Sequence, residues 1–477
     1  MAVTMRQKTV VLYPSLGVGH LNPMVELAKL FLRRGWAVVV AVVNPPDKEA
    51  VSADAIASLT AANPAITFHF LPVPSCGKEH YSNPVLHTID VLRAANTALR
   101  EFLRALPAVD ALVVDMFCVD ALDVAAELAI PAYFFFASAV GDLAVMLHLP
   151  YYYPTAPSSF EDMGETLLNF PGVPPIRALD MSTTMLDRES DIAKERLRQY
   201  TRMPEARGFL TNSFDWLEAR ALEALRQGLC TPGRSTPPVY CIGPLVLPGQ
   251  TAGSAGEKHA CLEWLDAQPD RSVVFLCFGS LGTLSAAQLR EVALGLQKSG
   301  HRFLWVVRDP PQQMDESVEP DLESFLPEGF SEKTADRGFV VKNWAPQAEV
   351  LQHGAVGAFV THCGWNSVLE GIVSGVPMIC WPMYAEQRMN KVHVVEEMKV
   401  GVAVEGYEKD IVEAEEVEAK VRLVMASEEG NKLRERLPAA KKMAADALKE
   451  GGLSDEAFEE FLRDLEKCSS ESEKKSM

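Results

Sequence analysis

The chain has 477 residues, more than one hydrophobic core accommodates, so two domains are expected. Its formal charge of -19 excludes a nucleic-acid phosphate surface, which needs clustered Lys and Arg, and 48% hydrophobic content marks a globular chain. The opening MAVTMRQKTVVLYPS carries an apolar run stopped by Pro14, too short for a signal peptide, and no other run reaches the roughly 18 apolar residues of a membrane span. Nine cysteines include no Cys-x-x-Cys pair, so reduced thiols and a cytoplasmic location are expected.

In chain order, KTVVLY (8–13) reads as an apolar strand, SLGVGH as a glycine turn, LNPMVELAKLFLRR as a helix closed by Gly35, and WAVVVAVV as the next strand. Strand, helix, strand implies a parallel sheet. DALVVD (110–115), the helix ALDVAAELA and PAYFFFAS continue the pattern, so residues 1–244 read as one doubly wound α/β domain. Its site should lie beyond the carboxyl ends of the strands. From Val239 to Gly256 the chain is rich in Pro, Gly and small residues, and 245–258 is taken as a linker. SVVFLCFGS, RFLWVV, GFVVKNW, PMICWP and GVAVE then repeat the alternation over 259–453. A last helix is expected at about 454–467, followed by a polar tail, 468–477, expected to be disordered.

Two constellations carry chemistry. In the segment from Trp344 to Gln387, an apolar strand (Val356 to Val360) ends at Thr361 and a helix begins near Trp365. The first backbone N–H groups of a helix lack intrahelical partners and the macrodipole is positive there, so a diphosphate can be held without a metal. His362, Asn366 and Ser367 add donors, and Glu370 can accept from ribose hydroxyls one turn on. The second constellation is His20, closing the glycine turn, with Asp115, ending a later strand. A neutral imidazole can take a proton from a hydroxyl nucleophile, while a buried carboxylate on its other nitrogen fixes the tautomer. Gly17-Val18-Gly19 starts a dinucleotide fingerprint, but Asn22 replaces its third glycine and no acidic residue follows the second strand, which excludes a nicotinamide dehydrogenase.

The segment opening W-A-P-Q, carrying H-C-G-W-N-S and ending E-Q resembles the signature box of plant family-1 UDP-sugar-dependent glycosyltransferases. The likeness spans the chain: G-x-G-H-L-x-P at 17–23, V-V-D-M-F, Y-C-I-G-P-L and F-G-S at 278–280 fall in the family's order. YPSLGVGHLNPMVELAK and the PAYFFF region look most like flavonoid and phenolic O-glucosyltransferases of grasses. The resemblance implies the GT-B fold, two Rossmann-like parallel-sheet domains facing across a cleft. Acceptor would bind mainly to the first and donor to the second, with the last helix crossing back to the first. It implies that Trp344 stacks on uracil beside Ala345 and Gln347. His362, Ser367, Asn366 and Ser280 would bind the diphosphate, Glu370 the ribose, and the Trp365 backbone with Glu386 and Gln387 the sugar. Gln387 points to UDP-glucose as co-substrate, although this family commonly has Asp or Glu at the place of Glu386.

The expected reaction is one inverting displacement giving a β-glucoside, with His20 as base and Asp115 as its partner. No Asp-x-Asp occurs, which agrees with a reaction that uses no metal and no further cofactor. The acceptor pocket should come from 79–92, Phe136 to Leu147 and Met181 to Met203. Its named candidates are Gly17, Phe117, Cys118, Phe136, Ser138, Met146, Met185 and Tyr200, a Met- and aromatic-rich set suited to a flat apolar molecule. After PAYFFF many relatives place Thr or Ser, where this chain has Ala137 before Ser138. A flavonoid hydroxyl is the leading acceptor. Terpenoids, hormones, xenobiotic phenols and C-glucosylation remain open, as does a non-catalytic UDP-sugar sensor. A monomer is expected, as is usual in the family.

Overall fold

The computed structural model describes residues 6–43, 53–72, 81, 83–246, 258–310 and 322–476. Much of the expected linker, 247–257, and part of the expected acceptor segment, 79, 80 and 82, lie outside the described residues. The chain forms two compact units. The first is built from Met1–Leu179, Thr184–Val246 and Asp446–Met477, the second from Asp180–Thr183 and Leu247–Ala445.

In the first unit, strands β1 (Thr9–Tyr13), β2 (Ala37–Val43), β3 (Thr67–Leu71), β4 (Ala111–Asp115) and β5 (Ala132–Phe136) belong to one parallel sheet. A two-stranded antiparallel hairpin, β6 (Leu167–Leu168) with β7 (Ile176–Arg177), stands apart from it. The sheet is completed by β8 (Phe209–Thr211) and β9 (Val239–Cys241), in the order β3-β2-β1-β4-β5-β8-β9. β1, β4 and β5 are near-continuous Val, Leu and Phe runs because helices cover both faces of a parallel sheet. Val239–Cys241, at the start of the Pro- and Gly-rich stretch that leads into the expected linker, is an edge strand. Tyr240 pairs with Leu210 and is buried. Three-residue strands at a sheet edge fall below the length at which periodicity is informative.

The second unit holds β10 (Val273–Cys277), β11 (Arg302–Val307), β12 (Gly338–Lys342), β13 (Val356–Thr361), β14 (Met378–Cys380) and β15 (Gly401–Ala403). They form a parallel sheet ordered β12-β11-β10-β13-β14-β15. Each sheet reverses its winding once, between β1 and β4 in the first and between β10 and β13 in the second. The crevice at such a reversal is where ligands bind in open α/β sheets. Segment 180–183, expected inside the first domain, is grouped with the second unit. Its Asp180 is buried and pairs with Lys391 at 2.7 Å.

The C-terminal helix, Leu453–Ser476, belongs to the first unit. Its spacing of Phe458, Phe461, Leu462 and Leu465 puts one apolar stripe on the core that contains Phe31, Tyr133 and Tyr240. The Phe461 ring lies 4.9 Å from Tyr133, 5.6 Å from Tyr240 and 5.9 Å from Phe31. Polar contacts rim the stripe: Arg34 Nε donates to Glu459 at 2.9 Å and Ser454 Oγ to the Gly243 carbonyl at 2.6 Å. The helix is described to Ser476, reaching into the segment expected as a disordered tail, 468–477. CSSESEKKS holds no Gly or Pro to stop a helix that packing has already nucleated. Phe461→Ala should cost about 3–5 kcal/mol by removing the centre of this stripe. Urea unfolding followed by far-UV dichroism measures it, and a loss below about 1 kcal/mol would mean that the helix contributes little.

Candidate active site

At the reversal in the first sheet, the helix Val18–Arg33 follows β1, and Asp115 ends the neighbouring β4. Gly17 caps the helix at φ 92°, and the amides of His20 and Leu21 both reach back to its carbonyl. The helix therefore starts three residues before the expected Leu21, and His20 sits in its first turn. His20 Nδ1 lies 2.8 Å from Asp115 Oδ2, while Asp115 Oδ1 accepts from the Phe117 amide at 3.0 Å. Asp115 has no exposed surface, whereas the His20 side chain keeps 27%. Because a carboxylate can only accept, it selects the tautomer with the proton on Nδ1 and leaves Nε2 as the acceptor. The Phe117 ring stands edge-on to His20 with centroids 5.4 Å apart.

Of the residues expected at the acceptor, Gly17, Phe117 and Cys118 gather around this pair. Tyr200 joins them through a residue the sequence reading missed. Arg196, itself buried, lies over the Phe117 ring at 4.4 Å and over Tyr200 at 4.8 Å, and donates to Gln199. Gln199 in turn donates to the Phe117 carbonyl at 3.4 Å. Burial pushes the Cys118 thiol well above its ordinary pKa, and the Asp115 charge adds to that, so it packs as a neutral group. Phe136, Ser138, Met146 and Met185 are buried, and the Ser138 hydroxyl donates to buried Asp142 at 3.0 Å.

At the reversal in the second sheet, Cys277 of β10 stands level with Thr361 of β13. The turns that follow hold Ser280 and His362. The His362 ring is clasped between two glycines: a Cβ on Gly279 or on Gly364 would sit 2.5 Å from ring atoms. His362 is buried with no protein partner for Nδ1, and burial followed by the Arg308 charge brings its pKa down to about 4. It is a neutral imidazole at pH 7. The helix Trp365–Ser374 begins where expected and ends on Gly375 at φ 76°. Trp365 and Ser367 are buried in its first turn, and Asn366 lies between them, half-buried.

Gln347 Nε2 donates both to Ser367 Oγ at 2.9 Å and to Glu370 Oε2 at 2.6 Å, tying three expected donor residues into one network. Burial raises the Glu370 carboxyl to about 7 against the opposing bond from Gln347. Trp344 is 61% exposed, next to buried Ala345, with its edge toward His259 at 5.9 Å. Glu386 caps the helix Gln387–Val392, and Gln387 Oε1 accepts from the amides of Met383 and Tyr384 at 2.9 and 3.0 Å. Those two N–H groups fix the amide orientation, leaving the Gln387 NH2 to donate elsewhere. Arg308, which follows β11 and escaped the sequence reading, donates to the carbonyls of Ser280 and Asn343. Its position directly after RFLWVV, at a strand's carboxyl end, was the available signal. Among the described residues, no group of three His, Cys, Asp or Glu side chains could hold a metal ion.

Residues 244–433 match the family model described as UDP-glucoronosyl and UDP-glucosyl transferase. An anthocyanidin 5,3-O-glucosyltransferase from a Rosa hybrid cultivar is 44% identical over 93% of this chain and 96% of its own length. The chain belongs to the plant family-1 UDP-glycosyltransferases. A UDP-glucosyltransferase from Polygonum tinctorium capable of glucosylating indoxyl superposes with a TM-score of 0.89 at 36% identity, covering 97% of this chain and 100% of that one. A UGT2 of Phytolacca americana, complexed with UDP-2fluoro-glucose and pterostilbene, superposes with a TM-score of 0.85 at 35% identity, covering 96% and 100%. The two parallel-sheet units are thus those of the family's GT-B fold, and a UDP-sugar is its co-substrate.

The Glu370 carboxyl gives a test of this geometry in the unliganded enzyme. Its folded pKa, about 7, lies above the ordinary 4.5, so between these values the folded chain holds a proton that the unfolded chain has released. Its contribution to stability therefore falls as pH rises from about 5 to 7 and is level above. Glu370→Gln should gain on the wild type through that window in urea unfolding at stepped pH. A constant difference would mean that the carboxyl is not desolvated.

Proposed function

We propose that this enzyme transfers glucose from UDP-glucose to a hydroxyl of a flavonoid or related phenolic acceptor, with inversion, His20 acting as general base and Asp115 orienting it. The observation that carries this reading is the 2.8 Å bond from His20 Nδ1 to a fully buried carboxylate. Such a bond aims the basic Nε2 at whatever occupies the half-exposed side of the ring. As the acceptor oxygen attacks the anomeric carbon, its proton passes to Nε2, and Asp115 stabilises the imidazolium that forms. Attack from the face opposite UDP turns an α-linked donor sugar into a β-glycoside.

The donor half of the proposal rests on the second unit. Exposed Trp344 offers its face to uracil, and Glu370 accepts from the ribose hydroxyls while Gln347 holds it in place. The diphosphate takes the N-terminus of the helix Trp365–Ser374, with His362, Asn366, Ser367 and Ser280 as further donors. His362, neutral at pH 7, supplies a hydrogen bond rather than a charge, so the positive potential comes from the helix N-terminus and Arg308. Gln387, with its carbonyl oxygen occupied, presents N–H groups to the sugar, and Glu386 accepts. Accepting equatorial hydroxyls fits glucose.

Support for a phenolic acceptor comes from the anthocyanidin-, indoxyl- and pterostilbene-directed names of the relatives and from the aromatic setting of His20. Phe117, held from behind by Arg196 and Gln199, gives an acceptor ring an edge to pack on. Gly17 and Cys118 border the same place, while Phe136, Ser138, Met146, Met185 and Tyr200 would support it from the interior. A reducing, cytosolic setting suits the seven free, buried cysteines among the described residues.

Purified enzyme with UDP-glucose and a panel of flavonols, flavanones and dihydrochalcones should release UDP and give O-β-glucosides by NMR. His20→Ala should lower kcat by about 10²–10⁴ with little change in UDP affinity, since general-base catalysis is worth that much. Unchanged turnover in His20→Ala would remove the base assignment. No turnover with any acceptor would favour a UDP-sugar sensor.

A further inference from the structure

The turn that presents the proposed sugar contacts is held by a segment from far away in sequence. Ala385, immediately before Glu386 and Gln387, takes φ 55°, a left-handed conformation that a residue with a Cβ adopts at a cost of about 1 kcal/mol or more. Thr183 offsets it from both sides: its amide donates to the Ala385 carbonyl at 3.1 Å, and its Oγ1 accepts from the Ala385 amide at 3.1 Å. Three residues earlier, buried Asp180 pairs with Lys391 of the helix Gln387–Val392 at 2.7 Å and accepts from the Tyr407 hydroxyl. Lys391 also lies 5.2 Å over the Tyr407 ring. The two ends of the Glu386–Gln387 element are thereby fixed, one by Thr183 and one by Asp180.

We infer that Thr183 is a positioning residue for donor-sugar selectivity, with Asp180 as its anchor: the pair sets where Glu386 and Gln387 meet the hexose hydroxyls. This rests on the proposed sugar contacts of Glu386 and Gln387. It goes beyond them because Thr183 itself touches no sugar. A carboxylate and an amide discriminate hydroxyl orientation only while they are held to within a fraction of an ångström. A residue that merely stabilised the unit would affect every part of the nucleotide sugar alike. One that aims this turn affects the sugar and spares the uridine diphosphate.

The test compares Thr183→Val, Thr183→Ser and Gln387→Ala with wild type, reading kcat/KM for UDP-glucose and UDP-galactose and the Kd of UDP by calorimetry. Thr183→Val keeps the shape and loses the oxygen. It should raise KM for UDP-glucose about 5- to 10-fold, the size of one or two lost hydrogen bonds, and narrow the glucose-to-galactose ratio similarly. The Kd of UDP should stay within about twofold, which also reports that the unit is folded, and Thr183→Ser should restore selectivity. If Gln387→Ala narrows the ratio and Thr183→Val does not, the inference is wrong. Parallel weakening of UDP and UDP-glucose in Thr183→Val would likewise reduce Thr183 to a structural residue. If Gln387→Ala leaves the ratio unchanged, the sugar-contact reading itself falls and the inference goes with it.

Discussion

The hydrogen bond between His20 and Asp115 is the constraint on which the rest of the first unit turns. A carboxylate with no exposed surface is tolerable only when its oxygens are bonded, and here one takes the imidazole and the other the Phe117 amide. Neither residue could be placed by local structure alone. β1 and β4 become neighbours because the sheet reverses its winding between them, and that adjacency brings residues 20 and 115 to one edge. Gly17, at a positive φ, then lets the helix start early enough to put His20 in its first turn.

The second unit uses the same topological device for a different task. Its reversal between β10 and β13 collects backbone donors, a neutral imidazole, Arg308 and a carboxyl held near neutrality by burial. In the proposed reading, the positive potential comes from a helix end and a guanidinium. In the same reading, Glu370 and Glu386 accept from hydroxyls of the ribose and the sugar. The glycines around His362 belong to this logic, since a Cβ at Gly279 or Gly364 would displace the ring. The position of the His362 ring is therefore set by the backbone on either side of it.

Much of this was legible in the sequence because the signals were local. The apolar strands with glycine turns, the helix start at Trp365, and the place of Ser367 and Glu370 in its first turns followed from spacing; Gln347 came from the family resemblance, and its bonds to both are seen only in the folded chain. What the sequence could not give depended on contacts distant along the chain. Arg196 falls inside the expected acceptor segment Met181 to Met203, but nothing local singles it out until Phe117 and Tyr200 are found against it. Asp180 and Thr183 lie in a stretch without periodicity, and their meaning arises only beside Lys391 and Ala385. Val239–Cys241 was hidden by its Pro- and Gly-rich surroundings and by being only three residues long. The extent of the terminal helix was not legible, because a polar composition signals disorder even where no Gly or Pro breaks a helix.

The central claim is that an imidazole oriented by a buried carboxylate takes the acceptor's proton during attack. The most direct test is the dependence of kcat/KM on acceptor acidity, measured over a series of substituted phenols of similar shape for the wild type and for His20→Ala. A base that removes the proton in the transition state should make the wild-type rate only weakly dependent on phenol pKa. Without it, only phenols already ionised should react, and the slope should steepen sharply. The same slope in both enzymes would contradict the account.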